Sequence, residues 1–150
     1  MNKIVIITAF LLCFYGISYA QFFSMPDCSK VTFAEDNITV GSCKLNVYVA
    51  ENYQQKVCGM LNFTDKTFLK DGMIFKGDAL RVKSYNFHTE GMQMNIRIMG
   101  IVLNKDSTYK VYNNDAKHSP PGIASIIIYG NSVFETSEEK YKKLKQCLLD

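Results

Sequence analysis

Leu45-Asn46-Val47-Tyr48-Val49 is the stretch from which the fold of this chain is read. Apolar and polar residues alternate there with period 2, the pattern of a strand with one buried face. Toward the N-terminus, Val31-Thr32-Phe33 and Ile38-Thr39-Val40 read as two short strands, separated by the turn chemistry of Glu35-Asp36-Asn37. Toward the C-terminus, residues 51–58 read as a short helix with Tyr53 and Val57 four apart on one face, and Gly59 as its C-cap. Residues 72–76, 81–87, 98–103 and 108–112 are further strands. Asn104-Lys105-Asp106-Ser107 supplies a turn, and residues 113–122, with Pro120-Pro121, read as an exposed loop. Residues 123–129 form the most apolar strand, which is expected to be central. Thr136-Ser137-Glu138-Glu139 has the pattern of a capping box and opens a final helix, with Tyr141, Leu144 and Leu148 facing inward. The expected fold is α+β: a largely antiparallel, curled or barrel-like sheet with one short early helix and one C-terminal helix.

The ends of the chain place it in a compartment. Lys3, an apolar run over residues 4–14, and Ser18-Tyr19-Ala20 occur in the order of a secretory leader, cleaved before Gln21. The expected organisation is a signal peptide over 1–20, an N-terminal extension with strands over 21–44, and a β-rich globular domain over 45–150. The protein is then secreted or periplasmic, with no stable membrane span after cleavage. Losing Lys3 lowers the formal charge from +3 to +2, too little to argue for nucleic acid. Lys140, Lys142, Lys143 and Lys145 read as the solvated face of the last helix.

Beyond Cys13 in the leader, four cysteines remain: Cys28, Cys43, Cys58 and Cys147. An even number in an exported chain reads as two disulfides, and three pairings are open. The pairing adopted is Cys28–Cys43, closing a local hairpin, with Cys58–Cys147 pinning the last helix to the body. No Cys-x-x-Cys spacing points to zinc.

No common catalytic signature is present. Gly-x-Ser-x-Gly is absent, the only histidines are His88 and His118, and Glu51, Glu90, Asp71 and Asp78 show no spacing that singles out a glycosidase pair. No cofactor or metal is expected. Met92 and Met94 lie two apart near His88, and thioethers with imidazole suit Cu(I). Methionines also fill cores as adaptable apolar side chains, and that reading comes first.

One block carries a family likeness: Gly59-Met60-Leu61, Gly72-Met73-Ile74-Phe75, His88-Thr89-Glu90-Gly91-Met92, then Ile101-Val102-Leu103-Asn104-Lys105-Asp106 and later Pro120-Pro121. It resembles the domain-of-unknown-function 192 family, small and often exported proteins, over about residues 45–147. The resemblance implies a compact β-rich fold and no agreed biochemical role. Two positions depart from the family pattern. Phe63 stands where the family has an arginine, and Asn95-Ile96-Arg97 where it has Pro-Ile-Asp, so a base replaces the acid.

The functional reading is an exported, non-enzymatic binding module for a small ligand or an envelope partner. His88, Thr89 and Met92 are its candidate binding residues, at a strand end where Gly91 permits a backbone bend. The alternative is a hydrolase acting on an envelope or extracellular substrate, with His88 and Glu90 as acid–base candidates. Copper handling through Met92, Met94 and His88 is the third reading.

Overall fold

A computed structural model describes residues 27–78, 80–87, 91–122 and 125–150. The signal-peptide reading, and the candidates His88, Thr89 and Glu90, lie outside the described residues. After a 3-10 turn at Cys28–Lys30 the chain forms β1 (Ala34–Val40), β2 (Cys43–Ala50), α1 (Tyr53–Cys58), β3 (Gly72–Phe75) and β4 (Lys83–Phe87). There follow β5 (Ile96–Leu103), β6 (Tyr109–Ser119), β7 (Ile126–Gly130), β8 (Ser132–Ser137) and α2 (Glu138–Leu148). This is the expected α+β architecture.

The main sheet runs in the order β1-β2-β3-β8-β5-β6. Its pairs are antiparallel except β2 with β3, and a single parallel pairing of Val40 with Tyr109 that joins the outer strands. The sheet therefore curls until its two ends meet at one point. Strand alternation gives it two apolar faces. Val47 and Val49 of β2, Ile74 of β3, Met99 and Ile101 of β5 and Phe134 of β8 fill the inner face, where α2 adds Tyr141 and Leu148. Met73, Phe75, Ile96, Ile98 and Val133 point the other way, into a second cluster with Met60, Phe68, Met92, Met94 and Ile128. A two-stranded ribbon of β4 and β7 covers part of this outer face. It comes so close that a β-carbon on Gly100 would lie 1.8 Å from the Tyr129 carbonyl oxygen.

The structure corrects several expectations. The Glu35-Asp36-Asn37 turn does not exist: these residues lie inside β1, opposite Tyr48, Val47 and Asn46 of β2. Cross-strand bonds outweigh local turn preference there, and the Asn46 side-chain amide donates to the Asn37 side-chain oxygen at 3.0 Å. The boundary placed at Leu45 therefore falls within one hairpin. Its real turn is Gly41-Ser42, with Gly41 at φ +59°.

The expected loop over 113–122 is largely strand. Asn113 and Asn114 take left-handed φ of 54° and 52°, and the register shifts between Met99 and Ile101. The turn-forming residues are thus absorbed in a bulge and pairing resumes to Ser119. Of residues 123–129, Ile123 and Ala124 lie outside the described residues, and among the described residues β7 pairs with β4 alone. Ile127 and Tyr129 are exposed, so this strand is not central. The buried inner strand is β8, flanked by β3 and β5. Its Ser132, Glu135, Thr136 and Ser137 conceal it from an apolar reading.

Ser137, rather than Thr136, caps α2, accepting from the Lys140 amide. The reciprocal capping box occurs instead at α1, between Asn52 and Gln55. Gly59 ends α1 as expected, its N–H bonded to the Gln55 carbonyl, while Tyr53 points into solvent. The cysteines stand at disulfide distance in pairs other than those expected: Cys28 with Cys58, and Cys43 with Cys147. Cys28 precedes a segment that runs beside α1, where Gln55 donates to the Thr32 carbonyl at 2.8 Å. Cys43 lies just past the Gly41-Ser42 turn, against which the end of α2 docks through a Ser42 N–H bond to the Cys147 carbonyl at 2.8 Å.

Candidate functional site

The outer face of the sheet holds one residue that its surroundings do not explain. β8 alternates: Phe134 enters the inner core, while Val133 enters the outer cluster. Glu135 therefore points outward, in register with Met73 of β3 on one side and Ile98 of β5 on the other. Both neighbours belong to the outer apolar cluster. Glu135 is 4% exposed. No hydrogen bond or ion pair joins its carboxyl to another described residue, and no fully enclosed side-chain oxygen among the described residues lacks a partner, so the Glu135 oxygens keep a small contact with solvent. Burial alone pushes its pKa up to about 8, so the group is largely protonated at neutral pH.

The walls around it come from several elements. Gly59, at the end of α1, has φ +44° and carries no side chain. A β-carbon there would lie 3.1 Å from Cζ of Phe75 and 3.8 Å from Oε2 of Glu135. Phe75 meets Phe87 of the ribbon edge-on, with ring centroids 5.3 Å apart. Met60 follows Gly59, and the Cys28–Cys58 pair anchors the residue before it. Met60, Met73, Met92 and Met94 are all buried in this cluster.

The basic side chains on the neighbouring elements are engaged elsewhere. Arg97 donates from Nε to Glu138 Oε2 at 2.6 Å, from Nη2 to Glu138 Oε1 at 3.3 Å, and to the Ala116 carbonyl at 3.2 Å. It also stacks 5.0 Å above the Tyr141 ring. Lys140 of α2 donates to the carbonyls of Phe68 (2.7 Å) and Lys70, and burial lowers its pKa. It is thus not on the solvated face read from the sequence. Lys76 pairs with Asp36 and Glu51, and Lys56 donates to the Lys76 carbonyl.

Of the expected binding residues, Met92 lies in this cluster, 7% exposed. His88 and Thr89 lie outside the described residues, as does Glu90 of the hydrolase reading. On either side of them, Phe87 is seated on Phe75 and Gly91 stands 3.9 Å from Leu61 at its β-carbon position. Of the copper set, Met92 and Met94 share the outer cluster, and His88 lies outside the described residues. No group of three or more His, Cys, Asp or Glu side chains able to hold a metal occurs among the described residues. Phe63, at the position of the resembled family's arginine, stacks on Tyr48 at 5.2 Å within an aromatic group that includes Phe33 and Phe68.

Sequence reasoning missed Glu135. The available signal was an acid inside the otherwise strand-forming run Val133-Phe134-Glu135-Thr136. A surface groove of about 360 Å³ lies elsewhere, lined by Asp27, Lys30, Thr32, Asn52 and Gln55. Its Asn52 and Gln55 side chains are already spent on the α1 cap.

No family model matches the chain, and no curated protein matches it. A solved structure from Sinorhizobium meliloti 1021, described as a proposed transcription regulator, is similar with a TM-score of 0.51 at 15% identity. The likeness covers 77% of this chain and 90% of that one. At that identity it speaks for a shared fold alone.

Proposed function

We propose that this chain is an exported, non-enzymatic binding module for a small ligand, and that its site is the methionine-lined outer face around Glu135. The observation that carries this reading is the carboxyl-bearing Glu135, 4% exposed between Met73 and Ile98 of the apolar outer face, with no hydrogen bond or ion pair to another described residue. Burial disfavours the charged form of such a group. Glutamine or leucine would fill the position without a chargeable group, so a role in the free protein's packing does not account for it. A ligand whose polar group reaches Glu135 would supply the missing bond. The surrounding thioethers and rings would hold its apolar part, as methionine does on adaptable binding surfaces.

Export is supported by the leader-like N-terminus and by two cysteine pairs at disulfide distance. No helix among the described residues is long and apolar enough to cross a membrane. The test is native mass spectrometry of the protein purified from its own host. The expected result is a co-purifying small molecule on the wild type that is absent from Glu135→Gln. An unliganded wild type that turns over an ester or glycoside substrate would overturn the reading in favour of an enzyme.

A further inference from the structure

We propose that Asn37 is an N-glycosylation acceptor, the attachment point for an oligosaccharide added as the chain is exported. This rests on export alone and not on the Glu135 face. Asn37-Ile38-Thr39 has the Asn-x-Thr spacing that an oligosaccharyltransferase reads. Glu35 adds an acid two positions upstream, which the more demanding transferases also require.

The fold keeps this whole motif on one side of one strand. Period 2 in β1 turns Ile38 into the inner core and sets Glu35, Asn37 and Thr39 on the opposite face. Glu35 and Asn37 are exposed there, and Thr39 is half-buried. The Asn37 side-chain oxygen accepts from the Asn46 amide at 3.0 Å, while its Nδ2 donates to no described residue. The oxygen is held, and the nitrogen that would carry the sugar is left to solvent. Across the hairpin Asn37 stands opposite Asn46, and Thr39 opposite Lys44, so polar side chains border the position. Among the described residues β1 meets β6 only at Val40, and no strand runs along its outer edge beside Asn37.

In the transfer, Nδ2 of Asn37 bonds to C1 of a sugar carried on a polyprenyl diphosphate. The C1–O bond to the diphosphate breaks, one amide proton is lost to a base, and polyprenyl diphosphate leaves. A second Asn-x-Thr, Asn62-Phe63-Thr64, also has an exposed asparagine. Two positions before it stands buried Met60 in place of an acid, and the Thr64 hydroxyl is engaged with Thr67. A transferase that requires the acid takes Asn37 and spares Asn62; one that does not takes both.

The experiment is intact-mass measurement and glycopeptide sequencing of the exported protein from its own host, with Asn37→Gln, Thr39→Val and Thr39→Ser beside the wild type. The expected result is a sugar mass on the peptide that holds Asn37, lost in Asn37→Gln and in Thr39→Val and retained in Thr39→Ser. Thr39→Val keeps both the asparagine and a β-branched strand residue, so its loss of the sugar reports the motif rather than misfolding. Modification of Asn37 alone points to the acid-requiring transferase, and modification of Asn62 as well to the other; either supports the acceptor. Unmodified Asn37 on a chain that begins at Gln21 would overturn the proposal and leave export standing. Unmodified Asn37 on a chain that begins at Met1 would overturn both. A sugar mass that survives in Thr39→Val would also overturn it.

Discussion

Arg97 joins the start of β5 to the start of α2, and its partner Glu138 shows how a single pair sets pH behaviour. The hydrogen bond from Arg97 holds the Glu138 carboxyl below its ordinary pKa, with Arg97, His118 and Lys142 adding attraction. A depressed carboxylate contributes stability above its unfolded pKa, and that contribution disappears as pH falls through the folded value. Glu138→Gln should therefore cost about 1–3 kcal/mol at neutral pH, and the loss should shrink in acid. Urea denaturation on both sides of the carboxylate range checks this. Gly100 is constrained by space instead. Its β-carbon would enter the Tyr129 carbonyl. Gly100→Ala should displace β7 and destabilise by about 1–3 kcal/mol, read from the same denaturation midpoints.

Among the elements, the clean alternation of β2 and the helical spacing of Tyr141 and Leu148 were legible in sequence because one face of each is buried. The failures share a physical cause: pairing across the sheet overrode local chemistry. Asp36 and Asn37 favour turns, yet β2 offers them partners over the full length of β1. Asn113 and Asn114 signal a loop, yet β5 holds the chain on both sides of the bulge. β8 was hidden because its polar residues are buried between two strands, which period-2 reasoning takes for exposure. The cysteine pairs were illegible for the same reason, since they depend on which elements dock. Peptide mapping without reduction should yield Cys28 linked to Cys58 and Cys43 linked to Cys147. Replacing Cys43 and Cys147 together by serine should cost about 2–4 kcal/mol and loosen α2 from the β1–β2 turn. The midpoint shift of that double variant measures it.

At the scale of the whole molecule, composition and alternation sufficed for an α+β domain with a curled sheet, because patterning sets the architecture. The site did not follow from pattern. Glu135, Gly59, Met73 and Phe75 lie on β8, α1 and β3, and only the order of strands in the sheet brings them together. Of the strand-end block read from the sequence, Met92 lies on this face. Its acid was not, since one carboxylate in a strand carries no spacing signal.

A carboxyl held on an apolar face at 4% exposure leaves its mark on global stability. The folded pKa of Glu135 lies near 8, above the ordinary carboxylate value of 4.5. As pH rises between the two, the unfolded chain releases a proton that the folded chain keeps, so stability falls across that window and levels off above it. Unfolding free energies of the wild type and Glu135→Gln, measured at about pH 5 and about pH 8.5, test this most directly. The account predicts that the wild type loses stability at the higher pH relative to the variant, by an amount on the order of a few kcal/mol. It also predicts that Glu135→Gln is the more stable protein there. A variant less stable than the wild type at both pH values would show a carboxyl serving the fold, and would contradict the account.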